Sequence, residues 1–205
     1  MLVKERILDG TYLPGQRIVI DQIAKEVGSS HIPVREAIRK LEADQYIEYR
    51  AHAGAVVTGI DAEVYEETLQ LLSILEGFAT AEASTYLGEN ELRTLHTLND
   101  KMQTALECYD LTTFGKLNKS FHFAIYDHCP NELLVAHITS AWEKLDTVRT
   151  SAFTTLPMRA PNSLKEHREL LHMFQEEAPK AEIEAFSRQH KQNTLLAFQS
   201  KEEHE

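Results

Sequence analysis

The segment Asp21–Leu41, DQIAKEVGSSHIPVREAIRKL, decides the fold of the amino-terminal part of the chain. Its first half places Ile23, Ala24 and Val27 on one face of a short helix. Gly28 follows and supplies the left-handed residue that commonly ends a helix. The pattern therefore predicts a short apolar helix followed by a tight turn.

A second helix is predicted to begin at Ser30, whose hydroxyl can accept a hydrogen bond from a first-turn amide. Pro33 falls in the first turn, where its missing N–H costs nothing. The expected buried stripe consists of Val34, Ala37, Ile38 and Leu41. Two helices joined in this way are typical of a helix-turn-helix.

The opposite face of this second helix carries the candidate DNA-contacting residues. At about 100° per residue, Arg35 and Arg39 project away from the apolar stripe together with Ile32, while His31 lies at its edge. A cationic helix face of this width fits the major groove. We therefore predict that the helix reads double-stranded DNA.

Residues 46–58, YIEYRAHAGAVVT, add two β-rich runs, Tyr46–Arg50 and Ala55–Thr58, joined by a turn that contains Gly54. This pattern indicates a wing, in which a glycine lets the backbone approach a phosphate or the minor groove. A small α+β packing unit without DNA-binding function is the alternative.

Four motif pieces in order resemble the GntR family of bacterial transcription regulators. They are ILDG-x-Y-x-PGQRI, IAKEVG, PVREAIRKLEAD and the wing glycine, and the match spans nearly the whole of the first 58 residues. The resemblance implies that Arg35 is the family's recognition-helix arginine, Ser30 its N-terminal Ser/Thr and Gly54 its wing glycine.

The chain departs from the family pattern near the DNA face. His31 stands where arginine is usual, Ile32 where threonine is usual, Asp21 where arginine is common, and Gln45 replaces a glycine. Losing two cations near phosphate should weaken binding and flatten its salt dependence by roughly one unit of slope per lost contact.

Composition and charge indicate two globular domains. The chain has 205 residues and 42% hydrophobic content, which suffices for one small and one medium core. Residues 1–58 hold equal numbers of basic and acidic residues, so the net charge of −11 comes from residues 59–205. We place the boundary where strand-like alternation stops and Asp61 can cap a helix, which gives domains 1–60 and 61–205.

No apolar run approaches the ~18 residues of a membrane span, and no signal pattern opens the chain. Cys108 and Cys129 lack CxxC spacing and are expected to be free thiols. These features favour a cytoplasmic protein without a membrane partner.

From Ala62 onward the hydrophobic period is helical, and turn residues divide the segment into about six helices. The first is marked by Leu69, Leu72, Leu75, Phe78 and Ala79. Lengths of roughly 15 to 25 residues with short connections predict an antiparallel bundle. The expected fold class is mostly α, a winged helix-turn-helix followed by an all-α bundle.

Four side chains in the bundle form a candidate metal site. Asn118 and His122 are spaced i, i+4 on one helix face, and His167 and His190 lie on two later helices. Three imidazoles and an amide oxygen would suit a borderline divalent ion. Packed or solvated histidines are the alternative that spacing leaves open.

The segment LNKSFHFAIYDHCPNELL, with the EH and QH pairs that follow, is similar to the FCD ligand-binding domain of FadR-type GntR regulators. This resemblance implies that Asn118, His122, His167 and His190 hold a divalent metal ion, with zinc or nickel expected. The family usually has aspartate at position 118, so the amide should bind the ion less tightly or select another.

The resemblance also implies a small organic acid as effector, held by the metal and by cationic residues. The family's R-x-x-L-E motif lacks its arginine here, because Leu72 stands in its place in LSILE. Arg149, on a core-lining helix, is the remaining candidate for the effector carboxylate. A solvated role for Arg149 and an uncharged effector stay open.

Two other functions are compatible with parts of the sequence. A helical metalloenzyme is suggested by Glu169-x-x-His172, but a di-metal site needs a second E-x-x-H, and the sequence contains none. A helical domain that only dimerises, with structural histidines, is the second. We favour a metabolite-responsive regulator that binds a roughly palindromic operator as a homodimer and has no enzymatic activity.

Overall fold

A computed structural model gives the structure of the protein and describes residues 2–8, 11–13, 15–44, 46–58, 62–156 and 158–202. Side chains at 8, 146–155 and 201–202 lie outside this description, as do the proposed helix cap Asp61 and the departure Gln45. The chain divides into two compact units, Met1–Asp61 and Ala62–Glu205.

The first unit is a three-helix corner with a β-hairpin. Its elements are α1 (Leu2–Leu8), α2 (Ile20–Glu26), α3 (His31–Ala43), β1 (Ile47–Arg50) and β2 (Gly54–Val57). The two strands pair antiparallel, with Ile47 opposite Val57 and Arg50 opposite Gly54. This arrangement confirms the winged helix-turn-helix expected from the sequence.

The core of this unit follows the predicted apolar stripe. Val34, Ile38 and Leu41 of α3 are at most 6% exposed, and they belong to the same cluster as Ile23 of α2 and Ile47 of β1. Burying these aliphatic side chains, at roughly 1.5–3 kcal/mol each, holds the helices against the hairpin.

Two details of the helix-turn-helix differ from expectation. Val27 is 45% exposed, because it is the residue that ends α2 and its side chain no longer follows the helical stripe. Ser30 is the N-cap of α3 but makes no side-chain capping bond. Ser30 is exposed, so water can serve the first-turn amides instead. Gly28 has the expected positive φ, +62°.

The second unit contains six α-helices among its described residues, in agreement with the sequence pattern. They are α4 (Ala62–Ala83), α5 (Glu89–Glu107), α6 (Leu111–Tyr126), α7 (Glu132–Thr155), α8 (Arg159–Gln175) and α9 (Lys180–Glu202). Asp110 caps α6 by accepting a hydrogen bond from the Thr113 amide at 2.9 Å. Within the described part of the chain, none of the helices is long and apolar enough to cross a membrane.

Large side chains fill the interior of the helical unit, among them Trp142, Tyr126, Phe114, Phe121 and Leu72. Leu69 and Ala79 of α4 are buried as expected, whereas Phe78 is 45% exposed. Helices α4 and α9 approach closely at Gly77, which lies against the backbone of Glu184. Polar side chains are enclosed by this core, and they form the site described next.

Candidate DNA interface and metal centre

The structure places the predicted DNA-contacting residues on one accessible side of α3. Ser30, His31, Arg35 and Arg39 are all exposed, and Ile32 is 75% exposed. Because the stripe on the other side of α3 is buried in the hydrophobic core, this face is the one available to a partner.

Neighbouring acids moderate the positive charge of this face. Asp21 lies 3.0 Å from His31, and Glu36 lies 3.3 Å from Arg39. Both pairs are well exposed, and such pairs contribute about 0–1 kcal/mol. A phosphate can therefore compete for Arg39, and Arg35 is the recognition-helix arginine on which we expect binding to depend most.

The wing adds a residue that the sequence did not single out. Tyr49 of β1, 49% exposed, lines one surface depression together with Arg35 and Arg39 of α3. The β-rich pattern predicted the strand but gave no indication that its outward ring would stand beside the recognition helix. Gly54, at the start of β2, has a φ of +78°, a conformation that L side chains rarely adopt.

Three imidazoles from three different helices converge inside the helical unit. His122 of α6, His167 of α8 and His190 of α9 each offer a nitrogen, and these nitrogens lie within 4.8 Å of one another. His122 Nε2 and His190 Nε2 are 3.3 Å apart. All three residues are at most 7% exposed. This is the spacing of side chains that can share one metal ion.

Two residues of the predicted metal set carry buried polar atoms without a hydrogen-bond partner. Among the described residues, neither ring nitrogen of His167 has a hydrogen-bond partner, and neither does the buried Oδ1 of Asn118. Asn118 lies one helical turn before His122 on α6. Because buried polar atoms are normally satisfied, orphaned donor atoms beside converging imidazoles fit a bound cation. The four side chains offer three nitrogens and one oxygen, a set that suits a borderline divalent ion.

Glu166 orients one of these ligands. Its Oε2 lies 2.5 Å from His190 Nδ1 and 2.5 Å from Arg159 Nη2, and its Oε1 accepts from Asn193 at 2.8 Å. Burial alone would raise the pKa of Glu166, but the hydrogen bonds from His190 and Arg159 outweigh it and lower the pKa to about 2. The carboxylate therefore holds the proton on Nδ1 and directs Nε2 of His190 toward the cluster.

The cluster favours neutral imidazoles. Burial, and then the positive charge of neighbouring groups such as Arg159, lowers the pKa of His167 well below its usual value. Burial also lowers the pKa of His190, although the hydrogen bond to Glu166 opposes this shift. A neutral imidazole is the form that binds a metal ion.

Among the described residues, two cations that the sequence did not single out lie near the cluster. Arg149 lies on α7, but its side chain is outside the described residues. Arg159 and Lys191 are both at most 3% exposed. Lys191 Nζ is 2.7 Å from Glu76, whose other oxygen accepts from Trp142 Nε1. Sequence patterns did not reveal these residues because lysine and arginine are usually exposed.

An exposed winged helix-turn-helix, together with a helical unit that encloses a histidine cluster, defines a class of two-domain DNA-binding transcription regulators. The family model for bacterial regulatory proteins of the gntR family matches residues 2–57, and the FCD domain model matches residues 67–193. The chain belongs to the GntR family and carries an FCD domain.

Relatives of known sequence and structure agree with this assignment. The chain is 30% identical over 203 residues to YdhC of Bacillus subtilis (strain 168), an uncharacterized HTH-type transcriptional regulator, covering 98% of this chain and 87% of YdhC. It is 26% identical over 172 residues to the HTH-type transcriptional regulator McbR of Escherichia coli (strain K12), covering 84% and 76%. The structure of E. coli McbR/YncC superposes with a TM-score of 0.76 at 22% identity, covering 97% of this chain and 93% of that one. These relatives are transcription regulators rather than enzymes.

Proposed function

We propose that this regulator binds a divalent metal ion, zinc or nickel, through Asn118, His122, His167 and His190. The convergence of three buried imidazoles carries the proposal. The orphaned oxygen of Asn118 supports its inclusion, since the amide is one turn from His122 and its buried Oδ1 has no hydrogen-bond partner among the described residues. An ion bound there would tie α6, α8 and α9 together.

The proposed regulator works as a homodimer on a roughly palindromic operator. It consists of a DNA-binding domain, residues 1–60, and an effector-binding and dimerisation domain, residues 61–205. A small metabolite that binds near the metal would favour one arrangement of the dimer over the other. Because two recognition helices must match half-sites a turn or more apart, such a shift changes operator affinity. Regulation in the cytoplasm is consistent with this role.

The test begins with metal analysis and mass measurement of protein purified without added ions. We expect a bound divalent ion and a dimeric mass. Operator duplexes selected from a random pool are then titrated with protein that has been stripped by a chelator and reloaded with zinc or nickel. Metal-free protein that cannot be loaded by either ion would instead support a helical domain that only dimerises.

A further inference from the structure

An aliphatic side chain lies at the start of the exposed face of α3. Ile32 is the second residue of this helix and is 75% exposed. At 3.6 residues per turn, it projects about 20° from Arg39 and about 60° from Arg35 around the helix axis. The buried Val34 and Ile38 project from the opposite half of the helix. Ile32 therefore belongs to the same exposed surface as the two arginines.

The other side chains of the first turn of α3 are directed toward the rest of the winged unit. His31 Nε2 lies 3.0 Å from a carboxylate oxygen of Asp21 on α2. Pro33 and Val34 line a small apolar depression between α3 and the two preceding helices. Recognition helices contact base edges with their amino-terminal residues. Ile32 is the apolar residue of this turn that faces solvent, so it is placed to meet a base.

The chemistry of Ile32 limits what it can recognise. An isoleucine side chain neither donates nor accepts a hydrogen bond. In the major groove, adenine, guanine and cytosine present hydrogen-bonding groups, and covering these groups with an apolar side chain costs free energy because they lose their water. Thymine also presents a C5-methyl group, to which an apolar side chain can pack. An aliphatic residue on the reading surface therefore favours thymine over cytosine.

We infer that Ile32 reads the C5-methyl group of a thymine in each operator half-site. The inference rests on the proposed binding of DNA by α3 and names the base that its first turn recognises. Arg35 follows Ile32 by about 4.5 Å along the helix axis, and base pairs are spaced about 3.4 Å apart. The thymine should therefore lie within one or two base pairs of the guanine that Arg35 contacts through O6 and N7.

The experiment uses an operator duplex selected from a random pool by the full-length protein, and it measures affinity by fluorescence anisotropy. Each thymine in turn is replaced by deoxyuridine, which pairs with adenine in the same way and lacks only the methyl group. We expect one thymine in each half-site at which this replacement weakens binding about 4-fold, the effect of losing the burial of one methyl group.

A second scan locates the guanine that Arg35 contacts. Each guanine is replaced by 7-deazaguanine, which lacks the N7 acceptor. The guanine whose replacement weakens binding of the wild type but not of Arg35→Ala is the partner of Arg35. The thymine that is sensitive to deoxyuridine should lie within two base pairs of this guanine.

Two variants connect the thymine to Ile32. Ile32→Ser removes an exposed side chain, so it should fold, bind the unmodified duplex about 4-fold more weakly and be indifferent to deoxyuridine at the sensitive position. Leu133→Ser is the control, because Leu133 is also the second residue of its helix, α7, and is 70% exposed. It should respond to deoxyuridine as the wild type does.

Restoring the methyl group on another base gives an independent measurement. Exchanging the sensitive thymine pair for a cytosine–guanine pair should weaken binding of the wild type. Using 5-methylcytosine in place of that cytosine should recover part of the affinity, because it carries the methyl group at the same ring position. Ile32→Ser should show no such recovery.

Wild-type binding that tolerates deoxyuridine at every thymine overturns the inference. A deoxyuridine effect that persists unchanged in Ile32→Ser also overturns it, since the effect would then come from the shape of the DNA. A sensitive thymine more than two base pairs from the guanine of Arg35 contradicts the placement of Ile32. These outcomes leave DNA binding by the winged unit and the metal site in place. Operator affinity that is unchanged in both Arg35→Ala and Ile32→Ser removes α3 from the interface, and the inference with it.

Discussion

His190 Nδ1 of α9 lies 2.5 Å from a carboxylate oxygen of Glu166 on α8. Glu166 precedes His167 in the chain, so one turn of α8 provides both a candidate ligand and the residue that orients another. The side chains of consecutive helical residues point about 100° apart. Glu166 can therefore contact the outer side of His190 while His167 contacts the cluster.

Replacing Glu166 with glutamine tests this relationship. The amide cannot hold the Nδ1 proton of His190 as strongly, so metal affinity should fall by about 10- to 100-fold. Chelator competition measures the change. Glu169→Gln, at an exposed position on the same helix, should leave the metal affinity unchanged. Equal losses of metal affinity in both variants would show that the cause is the loss of a negative charge from α8 and not the contact with His190.

Removing His167 tests the metal site directly. His167→Ala should lose the bound ion, as measured by elemental analysis, because the remaining donors no longer surround it. The winged unit should stay folded and retain non-specific affinity for DNA. His172→Ala removes an exposed histidine from the same helix and should keep its metal. Wild-type metal content in His167→Ala would contradict the assignment.

Arg35 is expected to carry sequence-specific contact with the operator. Arg35→Ala should weaken binding to a selected duplex by ~1–3 kcal/mol, as measured by fluorescence anisotropy. Arg93→Ala removes the same charge from an exposed position on α5 and should have little effect. Operator affinity equal to that of the wild type would remove Arg35 from the DNA interface.

The contact between α1 and α2 predicts acid sensitivity in the winged unit. Arg6 donates hydrogen bonds to Glu26, one of them 2.8 Å long, and they lower the pKa of Glu26 below its ordinary 4.5. A carboxyl with a lowered pKa contributes stability above its ordinary pKa, and that contribution is lost as pH falls through the folded value.

Glu26→Gln should therefore have a lower Tm than the wild type at pH 6. The difference between the two Tm values should shrink as the pH falls below about 4. Thermal unfolding followed by circular dichroism across this range measures the effect. Glu42→Gln, at an exposed position on α3, is the control. A difference in Tm that stays constant with pH would exclude ionisation of Glu26 as the cause.

Close packing of α4 on α9 predicts that Gly77 cannot be enlarged. A Cβ at this position would lie 3.1 Å from the backbone oxygen of Glu184 and 3.3 Å from Cβ of Arg188. Gly77→Ala should lower the free energy of unfolding of the helical unit by ~1–3 kcal/mol, measured in urea, and the higher helix propensity of alanine should offset part of this loss. Gly77→Leu should lower the free energy of unfolding further. Stabilisation by both substitutions would show that the helices can move apart freely.

Local patterns predicted most of the fold. The spacing of Val34, Ile38 and Leu41 indicated both the helix and its buried face, and the glycine between β-rich runs indicated the wing. The expected capping bond of Ser30 was wrong, because solvent can compete for the first-turn amides at an exposed helix end. Phe78, one of the apolar residues that marked the helical period of α4, is 45% exposed, since helical spacing does not show which parts of a helix a neighbour covers.

The sequence by itself determined the order of helices and strands and which arginines of α3 are exposed, because these features depend on neighbours within a few turns. Its motifs also determined the family. Only the tertiary structure decided which polar groups meet inside the bundle. It brought His122, His167 and His190 together and paired Lys191 with Glu76, more than 100 positions away in the chain. Such pairings depend on how separate helices pack, and helical periodicity carries no information about the distance between one helix and another.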